Sequence, residues 1–200
     1  MLLITPERIR TLQRTLYIKA KQEPAYRFYA LYDKLYQADI LNHAWRLVKA
    51  NKGSPGVDGM SFEAIGNGAG VDRYLVELGC ELQDKTYRAH PVKRVMIPKA
   101  DGSLRPLGIP TIRDRVVQMA LKLVIEPIFE AGFCGHSYGF RPRKPAHQAI
   151  DAIADGAVLA LIKQWLKAPV MGESENGKTA FVGGGKGNRR GTPQGGVITP

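Results

Sequence analysis

Two cysteines in 200 residues, Cys80 and Cys134, are too few and too far apart for a disulfide framework. Neither belongs to a CxxC or Cys/His pair of the kind that holds zinc, so both read as buried free thiols. No apolar run is long enough to span a bilayer, and the N-terminus lacks the apolar core and cleavage site of a signal peptide. Those absences leave the cytoplasm as the expected compartment. Acidic residues are also short, 18 Asp and Glu against 29 Lys and Arg, for a net charge of +11. Such a balance favours a polyanionic partner, because Lys and Arg release condensed counterions when they neutralise phosphates. A merely basic soluble protein would show the same balance. With 44% hydrophobic residues the chain can build a core, as one substantial domain or as a piece of a larger one.

What is present is organised around residues 87–115, YRAHPVKRVMIPKADGSLRPLGIPTIRDR. Val92, Arg94 and Met96 alternate with Lys93, Val95 and Ile97, then Lys99-Ala100-Asp101-Gly102 supplies turn chemistry and residues 104–109 return as a second strand. Asp-Gly between two apolar-rich runs predicts a hairpin, since glycine reaches positive φ without a Cβ clash. Lys99 falls just before the turn and Arg105 just after it. Two cations at the mouth of a hairpin suit a polyphosphate better than a core.

Upstream, Thr5-Pro6-Glu7 reads as a helix start with Thr5 as N-cap and Pro6 at the first helical position. Ile9, Leu12 and Leu16 mark its apolar face. Arg8, Arg10, Arg14 and Lys19 lie off that face, an arrangement that suits either RNA or plain solvent. From about residue 26 to residue 50 a longer helical pattern follows, with Phe28, Leu31, Tyr32, Leu35, Tyr36, Ile40, Leu41, Trp45 and Val48 as core. Asn51-Lys52-Gly53-Ser54-Pro55-Gly56-Val57-Asp58-Gly59 is a dense turn signal, either structural or a phosphate contact through Lys52 and exposed amides. Ser61 and Phe62 open a new segment. Residues 66–70 read as loop, and Val71, Tyr74, Leu75, Leu78 and Leu82 as another helix face.

After the hairpin, Thr111 caps a helix from about residue 112 to residue 131 whose wide apolar face includes Val116, Val117, Ala120, Leu121, Val124 and Ile128. Pro127 is expected to bend or end it. A glycine-rich loop, FCGHSYGFRP, then presents Tyr138, Phe140 and Arg141. A further helical pattern starts at Pro145, and Asp151 and Asp155 on it read as solvated. Residues 172–179, GESENGKT, fit the nucleotide-loop pattern GxxxxGK[ST], but a helix precedes them and Ala180-Phe181-Val182 reads as strand. Asn176-Gly177 is better explained as a hairpin turn. Residues 176–200 carry four basic residues and no acidic one, which points the tail at an anion.

Several stretches together resemble the reverse transcriptases of group II introns, which also act as maturases. They are NKGSPGVDG at 51–59, RVMIPKADGSLRPLGIPTIRDR at 94–115, the EPIFE and SYGFRP segments, and GTPQGGVITP at 191–200. Their order and spacing make the resemblance specific from about residue 31 onward. It implies an α+β fold, with reverse-transcriptase fingers and a partial palm, in which helices pack on a small antiparallel sheet with a fingers hairpin. The implied division is an N-terminal helical extension over 1–50, fingers and the start of the palm over 51–145, and partial palm over 146–200. Lys99 and Arg105 match the cations that grip the triphosphate of the incoming nucleotide, where fixed positive charge offsets charge on the transferring phosphates. Pro193, Gln194 and Gly195 match the wall beside primer and nucleotide. Arg8, Arg10, Arg14, Lys52 and Arg141 are the expected contacts to intron RNA, with a DNA primer as a further partner.

The chain also departs from that family. Polymerisation there needs Mg2+ held by one palm aspartate and an aspartate pair in a YxDD hairpin. Here residues 146–154 run into residues 158–166 across only Asp155-Gly156-Ala157, where the palm strand is expected, and the sequence ends before a YxDD element. The expectation is an internally deleted fragment that binds no metal and makes no DNA on its own. A residual intron-RNA-binding module and a non-functional pseudogene product are the alternatives. The two halves flanking the gap are expected to fuse into one helical rod, and the loss of the strand is expected to uncover the apolar face of the 112–131 helix.

Overall fold

The computed structural model describes residues 3–68, 70–98, 102–132, 155–173 and 179–183. Helix α1 (Glu7–Gln22) begins after Pro6, which occupies the N-cap in an extended conformation (φ −55°, ψ 147°) and accepts the Arg10 N–H through its carbonyl. Thr5 is therefore not the cap. The helical pattern expected from about residue 26 is divided. Residues 27–31 are non-helical, followed by a single turn, α2 (Tyr32–Leu35), and then α3 (Ala38–Ala50), which starts from an extended Gln37. The aromatic and aliphatic residues of that pattern are buried all the same, except Tyr36, which is half-buried. Their spacing reported burial correctly without reporting a continuous helix.

Ser61 caps α4 (Phe62–Asn67) by accepting the Ala64 N–H at 3.1 Å. That helix takes in Gly66 and Asn67, so the loop before α5 (Val71–Gln83) is shorter than its glycines suggest. Leu75, Leu78 and Leu82 of α5 are buried, and Cys80, on the outward side, is free and exposed rather than buried. Cys134 lies outside the described residues.

Strands β1 (Val92–Pro98) and β2 (Leu104–Ile109) form the expected hairpin, with Gly102 at φ +78° in the turn. Helix α6 (Ile112–Gly132) follows, and the Asp114 N–H bonds to the Thr111 hydroxyl as a cap should. It packs against α1, α2 and α3, and Ile112, Val116, Val117, Ala120, Leu121 and Val124 have no solvent exposure. The apolar face expected to be uncovered is thus covered, because helices upstream of the sequence gap wrap it. Pro127 does not end α6, which continues through it to Gly132.

Helix α7 (Gly156–Leu166) leads into β3 (Val170–Glu173) and β4 (Thr179–Gly183). A single rod through the gap is excluded, because Asp155 is extended (φ −74°, ψ 103°) and caps α7 with its own carboxylate. The sheet order is β2-β1-β3-β4. Its neighbours pair antiparallel except β1 and β3, which run parallel with Val92 opposite Val170 and Lys93 opposite Met171. The sheet is mixed rather than antiparallel throughout, since β1 and β3 are joined by a long connection that includes β2, α6 and α7, as parallel neighbours require. Glu173 faces Thr179 across the β3–β4 pair, and strand rather than helix follows the GxxxxGKT segment, so the nucleotide-loop pattern lacks the helix it needs. One apolar core runs from Ile9 to Trp165. Among the described residues no helix is long and apolar enough to cross a membrane.

Candidate nucleic-acid interface

Register decides which way the hairpin cations point. Arg105 lies opposite Ile97, Leu107 opposite Val95 and Ile109 opposite Lys93, so these six share one face of the β1–β2 pair. Arg94, Met96, Pro98, Leu104, Pro106 and Gly108 share the other. Arg105 is exposed. β2 is an edge strand, where Pro106 is tolerated without a ladder N–H. Lys99 lies outside the described residues, as do Arg141, Pro193, Gln194 and Gly195.

Residues 51–59 rest on the first turn of α6, only a few residues beyond the strand that carries Arg105. Arg115 Nη2 donates to the Ser54 carbonyl at 2.6 Å, and the guanidinium lies 5.8 Å from the Phe62 ring centre. A Cβ on Gly53 would fall 2.0 Å from Arg115 Nη1, and one on Gly56 would fall 2.7 Å from the Thr111 Cα. Close approach of backbone requires glycine at position 56, whereas at position 53 a side chain would have to displace the end of Arg115. Lys52 itself takes a left-handed conformation (φ +47°). Beside it a cavity of about 520 Å³ is lined by Lys49, Lys52, Gly53, Pro55, Ser61, Phe62 and Glu63. Its lining holds two lysines and one carboxylate, Glu63, whose pKa is lowered by hydrogen bonds from its own backbone and from Ser61.

On α1 the three arginines separate. Arg10 and Arg14 are one turn apart on one side, with Tyr17 and Lys21 continuing that stripe, whereas Arg8 lies roughly 200° around the helix from Arg10. Arg8 is paired with Asp39 at 3.4 Å and Arg10 with Glu7. Arg14 and Tyr17 are exposed, and Lys21 Nζ donates to the Ala131 carbonyl at 3.2 Å.

Two buried carboxylates hold these elements in place, and the sequence pattern marked neither as buried. Asp114, 2% exposed, accepts from the Tyr87 hydroxyl, the Thr111 hydroxyl at 2.7 Å and the His90 N–H at 3.2 Å. Trp165 Nε1 donates to the Tyr87 oxygen at 3.2 Å, so the network ties α6, the approach to β1 and α7 together. Burial and the neighbouring Asp114 charge push the Tyr87 pKa well above its ordinary value, keeping that hydroxyl a donor. Arg113 pairs with Glu81 and lies 5.5 Å from the Tyr87 ring centre.

Asp155, 6% exposed, bonds four backbone N–H groups. Oδ2 accepts from Leu31 at 2.8 Å and Tyr32 at 2.7 Å, and Oδ1 accepts from Ala157 at 3.0 Å and Val158 at 3.1 Å. It is a buried brace, not the solvated side chain expected. With both oxygens so engaged, the described carboxylate closest to the gap does not fit a magnesium ligand. The only signal in the sequence was the Asp-Gly start before an apolar run, which reads equally as a turn.

The described fold and its cations define a basic α+β domain built around one buried helix. The sequence matches no family model. It is 40% identical over 147 residues to Protein YkfC of Escherichia coli, covering 72% of this chain and 38% of that protein. It is 35% identical over 134 residues to the group II intron-encoded protein LtrA of Lactococcus lactis, covering 63% of this chain and 21% of that protein. Nuclear intron maturase 1 of Arabidopsis thaliana is 46% identical over 44 residues, 22% of this chain and 6% of that protein. Over the matched residues the chain is similar to group II intron-encoded proteins and intron maturases. It spans less than two fifths of the length of these relatives.

Proposed function

We propose that this chain is a fingers and partial-palm portion of a group II intron reverse transcriptase, one that holds intron RNA and a nucleotide triphosphate without synthesising DNA. In this reading residues 1–50 form the N-terminal extension, 51–145 the fingers and the start of the palm, and 146–200 the rest of the palm, in a cytoplasmic protein. Lys99 and Arg105 grip the triphosphate. Pro193, Gln194 and Gly195 line the primer side, and Arg8, Arg10, Arg14, Lys52 and Arg141 contact RNA phosphates. The observation that carries the proposal is the seat of the Lys52 loop on the first turn of α6, fastened by Arg115 just beyond the hairpin strand that bears Arg105. Two cationic elements distant in sequence are thereby held in a fixed relation, as a polyphosphate or a nucleic-acid strand requires.

Inactivity follows in this reading from the shortened segment between residues 146–154 and 158–166, together with the engagement of both Asp155 oxygens by backbone N–H groups. The test pairs RNA binding with primer extension on the 200-residue polypeptide. Affinity for intron RNA should fall steeply with salt, and neutralising Arg10, Arg14 and Lys52 should flatten that slope. Primer extension with Mg2+ and deoxynucleotides should give no product. Metal-dependent DNA synthesis would overturn the inactive reading, and absence of RNA binding at low salt would overturn the RNA reading.

A further inference from the structure

The exposed aromatic side chains among the described residues are Tyr17, Tyr26 and Tyr29, at 40%, 42% and 66% exposure, and all fall within thirteen positions near the N-terminus. The other aromatics whose side chains are described are buried or half-buried. Tyr26 is already engaged, with Lys19 Nζ 4.3 Å from its ring centre and the Phe28 ring meeting it edge-on at 5.0 Å. Tyr29 has no such engagement and makes no ring contact among the described residues.

Its backbone, by contrast, is firmly held. Phe28 is 6% exposed and Leu31 2% exposed, and the Leu31 and Tyr32 N–H groups are both bound by Asp155. The chain is extended at Phe28, so Arg27 and Tyr29 project on the side opposite Phe28. An exposed ring on a fixed backbone next to an exposed arginine has the composition of a base-stacking platform with a phosphate contact beside it. An apolar docking patch would need further apolar neighbours, and those flanking Tyr29 are the buried Phe28 and a small residue, Ala30.

We propose that Tyr29 stacks on an unpaired base of a bound RNA strand while Arg27 meets the adjoining phosphate. This rests on the RNA-binding reading above and adds to it that the strand is single at this point. The experiment measures binding of the full chain to a fluorescent 12-nucleotide oligoadenylate and to a 12-base-pair RNA duplex across a salt series. Tyr29→Ala should weaken oligoadenylate binding about tenfold, leave duplex binding and the salt slope unchanged, and leave the melting temperature unchanged. Tyr29→Trp should keep the affinity and Tyr29→Leu should not. Unchanged oligoadenylate binding by Tyr29→Ala, equal weakening on the duplex, or full affinity in Tyr29→Leu would each overturn stacking while leaving RNA binding intact. Failure of the unsubstituted chain to bind either probe would overturn the RNA reading and this inference together.

Discussion

The side-chain amide of Gln13 in α1 donates a 3.0 Å hydrogen bond to the carbonyl of Leu123, the residue four positions before Pro127 in α6. In a regular helix that carbonyl would accept the N–H of residue 127, which proline lacks. Gln13 supplies the missing donor from the neighbouring helix, and α6 runs on to Gly132. The Lys21 bond to the Ala131 carbonyl secures the far end of the same pair.

A double-mutant cycle tests this substitution of donors. Gln13→Ala should cost about 1–2 kcal/mol, because it strands a carbonyl in a packed interface. In a Pro127→Ala background, where the backbone N–H is restored, the same change should cost clearly less. Equal costs in the two backgrounds, measured by urea unfolding, would show that Gln13 does not stand in for the missing donor.

Asp155 joins segments more than 120 positions apart by capping the starts of α2 and α7 with one carboxylate. Asp155→Ala removes all four acceptor contacts and should destabilise by roughly 2–4 kcal/mol. Asp155→Asn should be nearly as damaging, since its NH2 must face backbone donors on one side or the other. A near-neutral Asn variant would show that one oxygen suffices and that the double cap adds little.

The close approaches of the 51–59 loop predict a ranking rather than a single effect. Gly56→Ala would meet the Thr111 backbone, which cannot swing aside, and should cost about 2–3 kcal/mol. Gly53→Ala meets the end of the Arg115 side chain, which can shift, and should cost about 1 kcal/mol. Because that shift breaks the Ser54 contact, Gly53→Ala should also weaken RNA binding by more than its stability loss explains. A reversed order in thermal melts would sink this account of the loop.

His90 predicts a pH dependence. Its imidazole Nδ1 lies 3.7 Å from Asp114 Oδ2, and this polar contact raises its pKa, helped by the charges of Asp114 and Asp58 and opposed by burial. A raised histidine pKa contributes stability in full below the unfolded value, about 6.5, and loses it as pH rises through the folded value. Melting temperature should therefore decline above about pH 6.5 in the natural chain. His90→Gln should flatten that part of the profile. Parallel profiles for the two proteins would show that the pair contributes nothing.

The local signals were legible where the partners are near in sequence. The hairpin followed from alternation and an Asp-Gly turn, the Thr111 cap from its own side chain, and the apolar spacings located the core even where the helix they suggested was divided. Arg105 could be placed on the hairpin for the same reason. Arg115 could not be placed, because one arginine in an IRDR string carries no mark of the loop it fastens sixty residues upstream. The resemblance to intron-encoded proteins was carried by spaced motifs that survive without any knowledge of contacts.

What the sequence by itself determined is the hairpin, the apolar core positions, the basic balance and the likeness to intron-encoded proteins. Tertiary structure decided whether α6 would stop at Pro127, whether Asp155 would be solvated or buried, and which arginines of α1 share a face with an exposed tyrosine. The first two turn on a hydrogen-bond partner more than 100 residues away, which no local propensity encodes. Pro127 lies inside a helix because Gln13 is there to replace its N–H, and Asp155 is buried because Leu31 and Tyr32 present theirs. The third turns on which side of α1 the core claims.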